Sequence, residues 1–574
     1  MTPSSSSSSC PSACSRPWLW AWLAGFGLFA IVAHGNFETT DATFTAQAAR
    51  GLWERGDSGL RREDQGATLP GEQLGALYIQ NVSCGKIGTN GLAYPWFPVG
   101  HVWLLVPFVA IGDALEGAVP AVAATFRERV AVGAADGGMT SVVQGTPLVT
   151  QGLISLLLPP ACAATTLLLL FLLARQLGGS GRSAMHVALA IVLTTQAFAF
   201  GRETLSDGPG LVCLLAALLA VVAVHQGRGR GLVALAGGLA GGAAVLLRYQ
   251  NAALLVAIGA ALGLACWRQR RWRAFVAFTA GVVPAAILLL SVNHARFGSP
   301  FDTGYPKVDA WLDQPLWLGV TKILFAAGRG VAWFSPLVWL AVPFALRARS
   351  AGSLRWLGWA LFLFPLAFFA LARGWQGGQC WAARYVTHGL VALLVLTLPT
   401  SQPWRRWPRA WATLLVLGVI VNVTSLVAPV RGVLQLAAQA YAAGGGTVDA
   451  ADPTGWQLRY TPLLANWRYA AASRVGGFED ERGAPRNGSV STIEAVFGVP
   501  ARTAGQGLAP QRWEDRVGRH LWWRLWGDLL GVPGWLLVAP FVLLFLVGVC
   551  GWRALRALPE LPAPGPSSSS ATSA

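Results

Sequence analysis

The 574-residue chain is 54% hydrophobic and only 12% charged, with a formal net charge of +17 and a mean hydropathy of +0.49. That balance is too apolar for an ordinary soluble domain and fits a polytopic membrane protein. The positive excess does not point to nucleic acid. The arginines cluster in short gaps between long apolar runs, as in Trp267 to Arg273 and Trp404 to Arg409, where cytoplasmic membrane loops carry them.

In chain order, residues 1–16 read as a disordered Ser-rich tail, and 552–574 as a disordered cytoplasmic tail. Trp18 to Ala33 reads as a retained first helix, because the run is long for a signal peptide and lacks a small-x-small cleavage site. Runs of roughly 17 to 25 apolar residues lie near Pro17–Ala33, Leu148–Ala174, Ala184–Gly201, Gly208–Val224, Gly231–Leu247 and Asn251–Trp267. Others lie near Ala274–Val292, Gly330–Leu346, Trp356–Ala372, Tyr385–Thr400, Ala410–Val427 and Val532–Gly551. The fold expected is therefore all-α and polytopic, with about twelve transmembrane helices.

Trp96 to Gly112 is long enough to cross but is interrupted by Pro98 and Pro107. Charge parity decides its reading. If it does not cross, the gaps holding Arg175 and Arg182, Arg228 and Arg230, Arg268 to Arg273, Arg347 to Arg355, Arg405 to Arg409 and Arg553 to Arg556 all share the cytoplasmic side. It is read as a re-entrant or surface-lying element. The main membrane domain then spans 17–427, with a first outer loop over 35–147, an extracytoplasmic segment over 428–531 and a last helix over 532–551. In that outer segment Trp513, Val517, Leu521, Trp522, Leu525 and Trp526 form an apolar face at helical spacing, read as a membrane-anchoring interfacial helix.

The spans hold almost no charge at mid-depth, which argues against proton-coupled transport. His186, Gln196, His388 and Asn422 are read as helix-packing hydrogen bonders. The glycine pairs Gly237-Gly238 and Gly241-Gly242 suit close helix packing, not phosphate binding. Cys162, Cys213, Cys266 and Cys550 lie in apolar runs as inert thiols. Cys84 and Cys380 both fall in outer loops, where free thiols are the default and a disulfide is left open. Asn81 and Asn487 head sequons that matter only in a eukaryotic host, and no P-loop, Ser-x-x-Lys or metal-spaced Cys/His cluster stands out.

The acids Glu38, Asp41, Glu203 and Asp207 all fall on the side opposite the arginine clusters. After the first span, Thr40 is placed to cap a short surface helix whose apolar side is Phe44, Ala48 and Leu52, with Asp41 in its first turn beside the headgroups. There a carboxylate can accept a proton from an incoming hydroxyl or orient it. Glu203 and Asp207 are spaced for one helical face, but Gly208-Pro209 is expected to end the regularity and hold them at the water boundary. Cations near the same face, Arg202, Arg248, Arg296, Lys322, Arg329 and Arg384, supply partners for a lipid phosphate.

Asp41 to Asp57, DATFTAQAARGLWERGD, resembles the first outer loop of the GT-C membrane glycosyltransferases, in which an Asp-Glu pair opens a surface helix and a Gly-Asp ends it. Asp41 matches the Asp; the Glu is replaced by Ala42, and a basic residue common in aminoarabinose and mannosyl transferases is replaced by Phe44. Phe200 to Pro209 looks like the second acidic position, matched by Asp207. Closer still is a bacterial GT-C-like group of mostly unassigned function. Its patterns are similar to Tyr94 to Gly100, Phe297 to Tyr305, Gly328 to Pro336, Trp375-Gln-Gly-Gly378 with Arg384-Tyr385, and Tyr460 to Leu463.

The resemblance implies an inverting glycosyltransferase in a bacterial inner membrane. It would move a sugar from a polyprenyl-phosphate donor to a glycan, lipid or protein acceptor on the extracytoplasmic face. Asp41 and Asp207 are the expected catalytic acids, with Glu38, Glu203, Lys322, Arg329 and Arg384 as substrate-binding residues. No cofactor is required; a divalent metal is left open, although the losses at Ala42 and Phe44 weaken the case for one. The alternatives are an outer-face polymerase or ligase with a diphosphate donor, a glycolipid flippase, and an inactive scaffold that binds glycolipid without turnover.

Overall fold

The computed structural model describes residues 17–37, 39–61, 85–121, 124, 148–229, 231–305, 312–347, 352–372, 374–375, 377–378, 380–443, 457–476, 496, 520–531 and 533–557. The chain is an all-α polytopic membrane protein. Its helices begin with α1 (Pro17–Ile31) and α2 (Thr40–Arg55), followed by a short antiparallel hairpin of β1 (Gly85–Ile87) and β2 (Ala93–Pro95). Next come α3 (Val99–Ala118), α4 (Leu148–Gln176), α5 (Gly181–Thr194), α6 (Ala197–Phe200), α7 (Asp207–His225), α8 (Gly231–Leu247), α9 (Asn251–Arg268) and α10 (Trp272–Phe297). The second half adds α11 (Leu316–Phe325), α12 (Val331–Phe334), α13 (Val338–Arg347), α14 (Gly352–Ala370), α15 (Arg384–Ser401), α16 (Pro403–Arg406) and α17 (Pro408–Thr424). The chain closes with α18 (Val430–Ala443), α19 (Pro462–Gly476), α20 (Trp522–Leu530) and α21 (Pro533–Ala557).

Among the described residues seven helices are long and apolar enough to cross a membrane, α3 among them, and most other predicted spans fall on shorter apolar helices. Two predicted runs are broken. Gly330–Leu346 splits into α12 and α13 around Ser335-Pro336, where proline lacks the N–H that the ladder needs. Ala184–Gly201 splits at Thr195, which turns extended and uses its hydroxyl to bond the carbonyl of Ile191 and the N–H of Ala197. The core gathers around α15, in which every residue from Val386 to Pro399 is buried.

Helix α3 is one continuous rod through Pro107. Its Gly100 lies against the backbone of Leu246, at the end of α8, and its Gly112 against Thr150, at the start of α4. Chain order puts those two helix ends on the same face, although Gly100 and Gly112 are about 18 Å apart along the rod. Helix α3 therefore runs across that face, and its buried side, Val99, Val102, Leu105 and Val109, covers α2. The cap of α2 is Thr39, one residue before the predicted Thr40, and its hydroxyl accepts the N–H of Ala42. Phe44 and Ala48 are buried as predicted, but beneath α3 instead of in headgroups.

The predicted Trp-rich face also finds protein in place of lipid. From α20, Trp522 Nε1 donates to Ala30 O at 2.7 Å, Trp523 Nε1 to Ile31 O at 3.1 Å and Trp526 Nε1 to Gly35 O at 3.2 Å. The carbonyls at the end of a helix have no partner within it. The indoles supply one, which anchors α20 to α1. The residues of that face at 513 and 517 lie outside the described residues.

The glycine pairs of α8 do pack helices closely. A Cβ on Gly238 would strike the Phe278 carbonyl of α10, and one on Gly242 would lie 2.6 Å from the Ala285 Cβ. Gly238→Leu is expected to destabilise the protein by at least about 1–3 kcal/mol, read as a lower thermal unfolding midpoint in detergent. Gly259→Leu, at a site with nothing within 4 Å, should leave the midpoint in place.

Candidate functional site

Four helix ends meet under α3. Asp41 sits in the first turn of α2, Asp207 opens α7, Arg248 follows the end of α8, and Arg384 opens α15. Carboxylates at helix N-termini suit the helix dipole, whereas Arg384 opposes it and must be held by the acids. Gly208-Pro209, predicted to end regularity, instead opens α7. In a first turn the missing N–H of proline costs nothing.

The Arg384 Nη2 donates to Asp41 Oδ2 at 3.0 Å, and its Nη1 lies 3.8 Å from Asp207 Oδ2. Arg248 Nη1 pairs with the other Asp207 oxygen. The result is an alternating row, Asp41, Arg384, Asp207, Arg248, whose formal charges cancel. Burial separates the two acids. The Asp207 side chain is 1% exposed and that of Asp41 is 29% exposed, so only Asp41 faces an incoming molecule.

Around the row the contacts are dense. Both guanidiniums lie 5.4 Å from the centre of the Tyr385 ring, which stacks on Phe369. His388 Nε2 lies 3.0 Å from the Asp207 carbonyl and its Nδ1 2.9 Å from Asn251 Oδ1, so the imidazole sits between the first residue of α7 and α9. Buried His101 of α3 is close enough to Asp207 for their charges to interact. Gly377 and Gly378 adopt left-handed φ of 76° and 80°, which bends the loop so that Gly377 packs on the Arg384 side chain.

Tyr305 and Cys380 also line this neighbourhood. Burial pushes the Tyr305 hydroxyl well above its ordinary range, with Tyr385, Asp41 and Tyr249 adding to the rise and Arg384 opposing it. It therefore stays a neutral hydroxyl. Burial likewise pushes the Cys380 thiol far up, against the pull of Arg384 and with the help of Glu203, Asp41 and Asp207, so it is no nucleophile.

The other predicted residues divide. Glu203 is buried in the turn before α7, near enough to Cys380 for its charge to be felt there. Arg329, expected as a substrate-binding cation, donates to the carbonyl of Gly378 and so braces the loop that carries Arg384. Lys322 donates to Gln314 Oε1 at 3.2 Å, and Gln314 in turn bonds the carbonyls of Ala370 and Ala372. Glu38 and Cys84 lie outside the described residues, and Cys380 is a free, buried thiol. Ala42 and Phe44 are packed in the apolar cluster under α3. Among the described residues no group of three or more His, Cys, Asp or Glu is placed to share a metal ion.

From the sequence, Arg248 is expected only as one of the outer-face cations, with no pairing to Asp207, and His388 only as a packing residue. His388 does pack, but on the backbone of an acid. The available signal was positional: Arg248 and Arg384 each stand at the very end of an apolar run on the acid face, as Asp207 does.

Residues 145–293 match the family model described as dolichyl-phosphate-mannose-protein mannosyltransferase. Over that stretch the chain is similar to this family of membrane mannosyltransferases. The matched stretch runs from α4 to α10 and contains Glu203, Asp207 and Arg248, but neither Asp41 nor Arg384. No curated protein matches the chain. A structural comparison finds the crystal structure of ArnT from Cupriavidus metallidurans bound to undecaprenyl phosphate. It is 14% identical, with a TM-score of 0.36, over 94% of this chain and 77% of that one. That superposition is too loose to place any residue of the site.

Proposed function

We propose that the chain is an integral membrane glycosyltransferase that takes a sugar from a polyprenyl-phosphate donor and passes it to an acceptor at the face carrying Asp41. One observation carries the reading: a partly exposed carboxylate and a buried one share Arg384, with Arg248 beyond. The donor class is supported by the description of the matched family, whose sugar is carried on a dolichyl phosphate. The arginine-rich gaps on the opposite face support an extracytoplasmic active side, since such gaps stay in the cytoplasm. A bacterial inner membrane and an inverting single displacement go with the proposal.

In this mechanism Asp41 accepts the proton of the acceptor hydroxyl as that oxygen attacks the anomeric carbon. The phosphate that leaves with the lipid carries developing negative charge, which Arg384 and Arg248 stabilise. An arriving phosphate also competes with Asp41 for Arg384. The carboxylate thus loses its cation as the donor docks and becomes the stronger base. Asp207 keeps both guanidiniums in place; Glu203 and Arg329 position the turn and the loop on either side, and Lys322 secures the segment outside them. Glu38 is kept as a substrate contact from the sequence alone.

Purified protein in proteoliposomes, given a set of polyprenyl-phosphate sugars, is expected to release free polyprenyl phosphate and glycosylate an envelope extract, both followed by mass spectrometry. Labelled lipid crossing the bilayer without transfer would mean a flippase. Donor bound but never consumed would mean an inactive scaffold.

A further inference from the structure

On the face opposite the acids, a cavity of about 920 Å³ opens between α7, α9 and α14. Its walls are short and apolar, among them Ala257, Ala261, Leu264 and Leu357, and Arg268 and Arg355 stand at its rim. No carboxylate lines it. Its polar end is closed by His225, whose Nε2 lies 3.3 Å from Ser353 Oγ and whose carbonyl accepts Gln269 Nε2 at 2.8 Å.

Two features say what covers such a groove. The first is level: Trp356 lines it at the start of α14, and Trp267 and Trp272 stand at the ends of α9 and α10 on the same face, the three being 65%, 64% and 50% exposed. Exposed tryptophans gather at the headgroup level of a bilayer. The second is charge: Arg268 and Arg355, the latter bonded to the Leu346 carbonyl and lying over the Trp356 ring, stand beside a mostly apolar wall with no carboxylate in the lining, so the ligand they complement is anionic at one end and hydrocarbon at the other. Basic pockets between membrane helices on the arginine-rich side hold anionic lipid heads.

We infer that this cavity binds one anionic phospholipid of the arginine-rich leaflet, its phosphate between Arg268 and Arg355 and an acyl chain along Ala257, Ala261 and Leu357. The site is remote from Asp41 and does not depend on the proposed transfer reaction. Its occupant packs three helices that carry Asp207, the contact for His388 and the wall beside α15, so lipid here stiffens the frame of the acid face from below.

Native mass spectrometry of the full chain in detergent, with phosphatidylglycerol or phosphatidylcholine added, tests this. One phosphatidylglycerol is expected to stay bound at collision energies that strip phosphatidylcholine. Arg268→Ala with Arg355→Ala should weaken that retention about five-fold per arginine, whereas Arg405→Ala with Arg406→Ala, elsewhere on the same face, should not. Ala261→Phe, which fills the groove and leaves the charges, should also displace the lipid; it gives a second reading if the double arginine variant fails to fold. Equal retention by the cavity variants and the distant pair, or retention of phosphatidylcholine to the same degree, would overturn the inference.

Discussion

Asp41→Asn is expected to lower sugar transfer by about 10²–10⁴-fold, with the donor still bound. The amide has the shape of the carboxylate and keeps an oxygen for Arg384 Nη2, which now bonds Asp41 at 3.0 Å. It cannot take up a proton from an attacking hydroxyl. Because the Asp41 side chain is 29% exposed, the loss of its charge has a small effect on stability, and the unfolding midpoint should stay close to that of the parent. Donor affinity should hold or rise, since Arg384 no longer divides itself between a carboxylate and the phosphate. Transfer at the original rate in purified proteoliposomes would remove Asp41 from the mechanism and with it the proposed function of the row.

Arg248→Ala should act on stability as well as on transfer. Asp207 is 1% exposed and has Arg248 on one oxygen and Arg384 3.8 Å from the other. Removing Arg248 leaves a buried charge with a single, longer partner, a change that costs about 3–5 kcal/mol. Arg248→Met with Asp207→Asn takes away both charges and keeps the volume, so the double variant should recover most of the unfolding midpoint while transfer stays low. That split separates the structural part of the pair from its chemical part. A single Arg248→Ala variant that melts with the parent would show that the pair does not hold the ends of α7 and α8 together.

Sequence patterns fixed the helices best where apolar length and charge parity agreed. The charged gaps placed all four acids on one face, and for the described ones, Asp41, Asp207 and Glu203, the structure gathers them by the ends of α2, α6 and α7. The role of Trp96 to Gly112 depended on parity alone, and glycine contacts at both of its ends now lay it across the face. What could not be read was partner choice. A tryptophan at helical spacing looks the same whether lipid or a helix end receives its N–H, and the indoles of α20 turned to α1. Likewise nothing local distinguishes Arg248, which meets Asp207, from Arg329, which meets a backbone carbonyl 49 residues away. Those assignments are set by loops such as 377–384, whose path depends on left-handed glycines and on Ala382 at φ 61°.

The hold of α20 on α1 has a consequence for biogenesis. Helix α1 leaves the ribosome well before α20, yet its Ala30 and Ile31 carbonyls wait for tryptophans 492 residues later, and α21, later still, is among its packing neighbours. At synthesis rates of about 5–20 residues per second, α1 spends roughly half a minute or more in the bilayer before α20 exists. Loss of α20 and α21 would then unseat α1 while leaving the middle of the bundle able to form, so nascent chains stalled before α20 should be the ones that quality-control proteases take.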